Sequence, residues 1–118
     1  MELTTAQAIY RLQKALNSDE PTKVTVGDNN LPVVKDAPLF VTDGCTVYRI
    51  IGIDFTDEEA VFVVIDELPA SPTYGQIICG MHFVYPIRDS LDEAIGDFSL
   101  LLAERVEAYT SRKEAVCV

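Results

Sequence analysis

Cys79-Gly80-Met81-His82 places the chain's single histidine three residues after a cysteine, a spacing that suits a Cys–His nucleophile pair or two ligands of a metal. In an extended strand residues i and i+3 point to opposite faces, so these side chains meet only if the strand bulges at Gly80. A structural zinc needs four ligands, and Cys45 and Cys117 are the only other thiols. Without that bulge Cys79 is a small buried hydrophobe. A small enzyme or ligand-binding domain using Cys79, His82 and a carboxylate is the expectation that depends on this motif.

Carboxylates are the other abundant chemical group, and they are unevenly spread. Between Ile50 and Leu100 there are ten acids against one base, Arg88, whereas residues 1–49 carry six acids and five bases and residues 101–118 three of each. The three stretches sum as −1, −9 and 0 to the net charge of −10. Asp54 to Glu59 contains four of these acids, but the sixth residue is Glu59 where a calcium loop of the EF-hand type needs glycine, and the twelfth is Ile65 where it needs glutamate. The glycines are isolated and form no phosphate-binding fingerprint, and no serine has an elbow motif. No catalytic residue, cofactor or metal is therefore expected.

Asp89, Glu93 and Asp97 recur every fourth residue. On a helix they put a carboxylate at about every 6 Å of axis, a coarse counterpart to the phosphates of one DNA strand at about 3.4 Å. Asp57, Glu58 and Glu59 at a hairpin tip, with Asp66 and Glu67 ending a strand, are candidates for a second row. Acid excess of this size disfavours direct contact with nucleic acid and with anionic membranes, and suits a basic protein surface.

These groups have to be positioned by ordinary elements. Ile9, Leu12 and Leu16 mark a helix from about Thr5 to Asn17, capped by Thr4 or Thr5 and ended before Pro21. Lys23 to Val26 alternates as a strand, Gly27 to Asn30 is a turn, and Leu31–Val34 is a short return strand at an edge because of Pro32. Asp43-Gly44 predicts a tight hairpin joining Leu39–Thr42 to Cys45–Phe55. A second hairpin turns at Thr56–Glu59 into Ala60–Glu67, where Val61, Val63 and Ile65 share one face and Phe62 and Val64 the other. Two apolar faces make this an interior strand. Leu68–Gln76, with Pro69, Pro72 and Gly75, is a surface loop presenting Tyr74, and Ile77–Ile87 is a further strand bent at Gly80.

Ser90-Leu91-Asp92-Glu93 matches a capping box and opens a helix to about Thr110. At 100° per residue, Leu91, Ala94, Ile95, Phe98, Leu102, Val106 and Tyr109 fall on one side, and Asp89, Glu93, Asp97, Glu104 and Glu107 on the other. Leu100 stands near the centre of the acidic side. Arg105 falls on the apolar side, where it is expected to snorkel or to meet a carboxylate of the sheet.

Together these elements predict one α+β domain over residues 1–118: an N-terminal helix, an antiparallel sheet of about five strands built from hairpins, and a long C-terminal amphipathic helix packed on the sheet. Three scattered cysteines, a polar N-terminal segment and the absence of a long apolar run point to a reducing cytoplasm. In size and charge, though in no motif, the chain resembles small acidic proteins carried by phages and mobile elements, and toxin-neutralising immunity proteins. The expected function is a non-enzymatic protein-binding module or inhibitor that occupies a basic or nucleic-acid-binding surface of its partner. Its contact residues would be Asp57, Glu58, Glu59, Asp89, Glu93, Asp97, Leu100 and Tyr74. A structural subunit that pairs with copies of itself through the Leu31–Val34 edge or the last helix is the remaining expectation.

Overall fold

A computed structural model describes residues 2–18, 22–26, 29–34, 36–54, 61–81 and 86–116. The acids Asp57, Glu58 and Glu59, the Gly27-Asp28 part of the first turn, His82 and Cys117 lie outside the described residues. In chain order the elements are β1 (Glu2–Leu3), α1 (Thr5–Ser18), β2 (Thr22–Val26), β3 (Asn29–Val33), β4 (Phe40–Thr42), β5 (Val47–Asp54), β6 (Val61–Asp66), β7 (Ile77–Met81), β8 (Ile87–Arg88) and α2 (Leu91–Val116). Six strands form one antiparallel sheet in the order β1-β8-β4-β5-β6-β7, and β2-β3 is a separate two-stranded ribbon.

The start of α1 follows from four residues of sequence. Thr4 N–H donates to Gln7 Oε1 (2.9 Å) and Gln7 N–H donates to Thr4 Oγ1 (3.1 Å), a reciprocal capping box with Thr4 as the cap. Ala8 and Leu12 are then carried into the main core with Tyr48, Ile50, Phe62 and Val64. The opposite face of the sheet, with Ile51, Val63 and half-buried Ile65, is covered by Leu31 and Val33 of β3. The two faces of β6 are thus both buried, one under a helix and one under the ribbon.

Gly52 is what lets the ribbon come so close. A Cβ there would lie 3.1 Å from the Pro32 carbonyl oxygen and 3.3 Å from Val33 Cγ1. The β5–β6 register shifts between Ile50 and Gly52, which leaves Ile51 as the extra residue, wholly buried toward the ribbon. Val34 N–H donates to the Ile51 carbonyl (2.8 Å) and closes the joint.

The expected α+β fold is present, with its N-terminal helix, antiparallel sheet and long C-terminal helix packed on the sheet, and four details of it differ. The turn at Asp43-Gly44 is a four-residue loop, and β5 starts at Val47, because Asp43 Oδ1 accepts from the N–H groups of Cys45 (2.8 Å) and Thr46 (3.1 Å) and withdraws them from the ladder. Ile77–Ile87 is two strands: β7 lies at one edge of the sheet beside β6, while β8 lies between β1 and β4. The sheet has six strands because β8 and the two-residue β1 add to it. Finally, α2 is longer than expected, and only its first half packs: Leu91, Ala94, Ile95 and Phe98 meet Phe40 and Val47, whereas every residue from Leu102 to Thr110 is exposed.

Candidate functional site: the outward face of the last helix

Ser90 stands immediately before α2, and its carbonyl accepts the first intrahelical bond from Ala94 N–H (3.2 Å). This start sets the rotation of the helix. Ala94, wholly buried, faces the sheet, so Glu93, Leu100, Glu104 and Glu107 are turned outward, and all four are exposed.

The row Asp89, Glu93, Asp97 is less available than its spacing suggests. Arg88 Nε and Nη2 donate to the two carboxylate oxygens of Asp97 (2.8 and 3.1 Å), a two-pronged pair. That bond raises the Arg88 guanidinium further above its ordinary value, and the nearby charges of Glu2 and Glu93 add to the effect. The one base of the acid-rich window thus lies within its acids. Asp89 faces Arg11 of α1 at 3.7 Å. Two of the three carboxylates are therefore committed to holding α2 on the sheet and on α1.

Of the second row, Asp57, Glu58 and Glu59 lie outside the described residues, and Asp66 and Glu67 are both engaged within the fold. Asp66 is buried and collects Thr46 Oγ1 (2.9 Å), Ser71 Oγ (2.6 Å), Thr73 Oγ1 (2.6 Å) and Leu68 N–H (3.0 Å). Burial alone pushes its carboxyl up, but the donations from Ser71, Thr73, Leu68 and Thr46 outweigh it and hold the group below the usual carboxylate range. Its role is to fold the loop that follows β6. Glu67 accepts from Arg49 Nε (2.9 Å), and that guanidinium also lies 4.7 Å over the Phe40 ring. The Asp66-anchored loop holds Tyr74 out in solvent, 56 % exposed, with Gly75 at φ +83° closing the turn.

At the same end of the sheet, in the β4–β5 loop, Asp43 Oδ2 accepts from the Tyr48 hydroxyl (3.0 Å). Burial, then that bond and the charges of Asp43 and Asp66, push the phenol well above its ordinary value. Arg105 donates to the Gly44 carbonyl and reaches Cys45 Sγ at 3.5 Å. Its partners are thus a carbonyl and a thiol of the β4–β5 loop rather than a sheet carboxylate.

Around the cysteine motif, β7 pairs with β6 through Phe62↔Met81 and Val63↔Cys79, so the register shifts at Gly80, as the bend there implied. Cys79 Sγ lies 3.8 Å from Oδ2 of buried Asp54. That brings a carboxylate to the thiol, while His82 is outside the described residues. Among the described residues no group of three or more His, Cys, Asp or Glu could hold a metal ion. A shallow groove of about 420 Å³ lined by Gln13, Leu16, Asn17, Pro32 and Ile53 gathers no titratable side chain among the described residues.

Fold and surface together define an α+β protein whose last helix stands out from the body with an acidic, leucine-centred face. No helix among the described residues is long and apolar enough to cross a membrane. Comparison with protein-family models, curated proteins and solved structures returned no match.

Proposed function

We propose that this chain is a non-enzymatic protein-binding module that offers the outward face of α2 to a basic protein surface, of the kind that otherwise holds nucleic acid. One observation carries the reading: Leu100 is 62 % exposed at the middle of a face whose other members are Glu93, Glu104 and Glu107. An apolar anchor rimmed by like charges is suited to a groove lined with lysine and arginine, where the rim steers encounter and the centre gives up its water. Asp57, Glu58, Glu59 and Tyr74 are further contact residues in this reading, at sites of their own. Asp89 and Asp97 serve it indirectly, by holding the helix in place.

The test is capture of partners from the native host at low and high salt, identified by mass spectrometry. The bait is wild-type chain or the triple variant Glu93→Gln, Glu104→Gln, Glu107→Gln. A basic protein held by wild type at low salt, released at high salt and lost by the variant supports the reading. Equal capture by both baits removes the acidic face from the interface.

A further inference from the structure

Two loops meet at one end of the sheet, each held by its own carboxylate, and one buried hydroxyl joins them. Asp66 anchors residues 68–76 through Ser71, Thr73 and the Leu68 N–H, but its fourth donor, Thr46 Oγ1, belongs to the β4–β5 loop. Asp43 anchors that second loop: its Oδ1 accepts from the Cys45 and Thr46 N–H groups and its Oδ2 from the Tyr48 hydroxyl. Thr42 braces the turn from inside, donating its hydroxyl to the Thr46 carbonyl (2.7 Å) and accepting the Gly44 N–H (3.0 Å). Thr42 and Thr46 are both buried, so breaking any of these links leaves a polar group without a partner.

The network aims one group outward. A trans peptide points its C=O and N–H in opposite directions, so holding the Cys45 N–H on Asp43 turns the Gly44 carbonyl the other way, and there it accepts from Arg105 of α2. Gly44 makes the turn at φ +86°, a conformation that a side chain would strain. Among the described residues this is the outermost bond between α2 and the body. The apolar packing of the helix ends at Phe98, about two turns earlier, and Leu102 to Thr110 are all exposed.

We infer that the β4–β5 loop is a coupling device: order in the Asp66-anchored loop passes through Thr46, Asp43 and the Gly44 carbonyl to Arg105, and sets how far along α2 the helix stays bound to the body. The element with two states is the stretch from Ser99 to Arg105, docked or let go. It contains Leu100 and Glu104 of the outward face, while the loop at the far end of the relay presents Tyr74. A partner that grips Tyr74 therefore steadies that face, and by linkage a partner on the face tightens the loop. As a control on partner binding the inference rests on the function proposed above. The coupling itself is read on the chain alone, so either can fail without the other.

Amide hydrogen exchange of the full chain, followed by mass spectrometry, tests this, with peptides over residues 99–110 as the readout and those of β5 and β6 as the control for global stability. Arg105→Ala should speed exchange over 99–110 by about fivefold, and Thr46→Val, which removes a hydroxyl bonded to Asp66 and to no residue of α2, by about threefold. In the Arg105→Ala chain Thr46→Val should add nothing further there, because the path is already cut. Thr46→Ser keeps the hydroxyl and should exchange like wild type. If Thr46→Val also speeds exchange in β5 and β6, Asp43→Ala, at a half-buried loop position, replaces it with the same expectations. Exchange over 99–110 that stays at the wild-type rate in either single variant overturns the proposal. So does a loop variant whose effect is undiminished in the Arg105→Ala chain, or Thr46→Ser exchanging as fast as Thr46→Val. None of these variants alters Glu93, Leu100, Glu104 or Glu107.

Discussion

The two halves of α2 are written in the same residue types and meet different surroundings. From Leu91 to Phe98 the apolar side closes on Phe40 and Val47 and the acidic side is tied down through the Arg88–Asp97 pair. From Ser99 onward the same period continues, yet after the Arg105 link to the β4–β5 loop every residue from Val106 to Thr110 is exposed. Amphipathic spacing states that a helix has a face to cover, not what covers it. A globular body of this size offers only so much sheet, and α2 outruns it.

That contrast can be broken most severely from the packed half. Ala94→Asp puts a carboxylate where Ala94 is wholly buried between Phe40 and Val47, and should cost about 3–5 kcal/mol in urea unfolding. Next in size is Asp66→Ala, which leaves three hydroxyls and the Leu68 N–H without their shared acceptor, for a loss of about 3 kcal/mol.

The same carboxylate predicts a pH effect. Its folded value lies below the ordinary 3.8, so its contribution is complete above that value and is lost as pH falls through the lower, folded one. Wild-type stability should decline on the acid side of 3.8, and Asp66→Asn should flatten that limb in unfolding curves taken across it. Tyr48 works in the other direction. Its raised value means a contribution that is complete below pH 10.0 and fades as alkali ionises the unfolded chain.

Arg105→Ala stands between the halves and should lose about 1 kcal/mol, with faster amide exchange in the turns that follow it. The smallest effect is expected farthest out. Val106→Ser on the exposed half should change stability by no more than about 0.5 kcal/mol in urea unfolding.

Much of the body was legible in the residues. The cap at Thr4, the two apolar faces of β6, the loop after it and the bend at Gly80 all rest on local rules that the chain obeys. Other features have no local signature. β1 is too short to show a period, and an apolar run from Ile77 to Ile87 does not reveal that the chain leaves one edge of the sheet and rejoins it between β1 and β4. The acidic face was the least legible. Regular spacing put Asp89, Glu93 and Asp97 together, but Arg11, far away in sequence, and Arg88, within the same window, decide which of them are bound. Asp66 looked like one more surface acid and is the buried hub of a loop.

Amide hydrogen exchange along α2, followed by mass spectrometry at low micromolar concentration, tests most directly whether this helix has a packed half and a free half. Slow exchange through Phe98 and a steep rise beyond Arg105 are expected, because helical amides without tertiary cover open locally at little cost. Uniform protection from Leu91 to Thr110 would contradict the account, since the leucine-centred acidic face would then be the surface of a packed helix rather than of a projecting one.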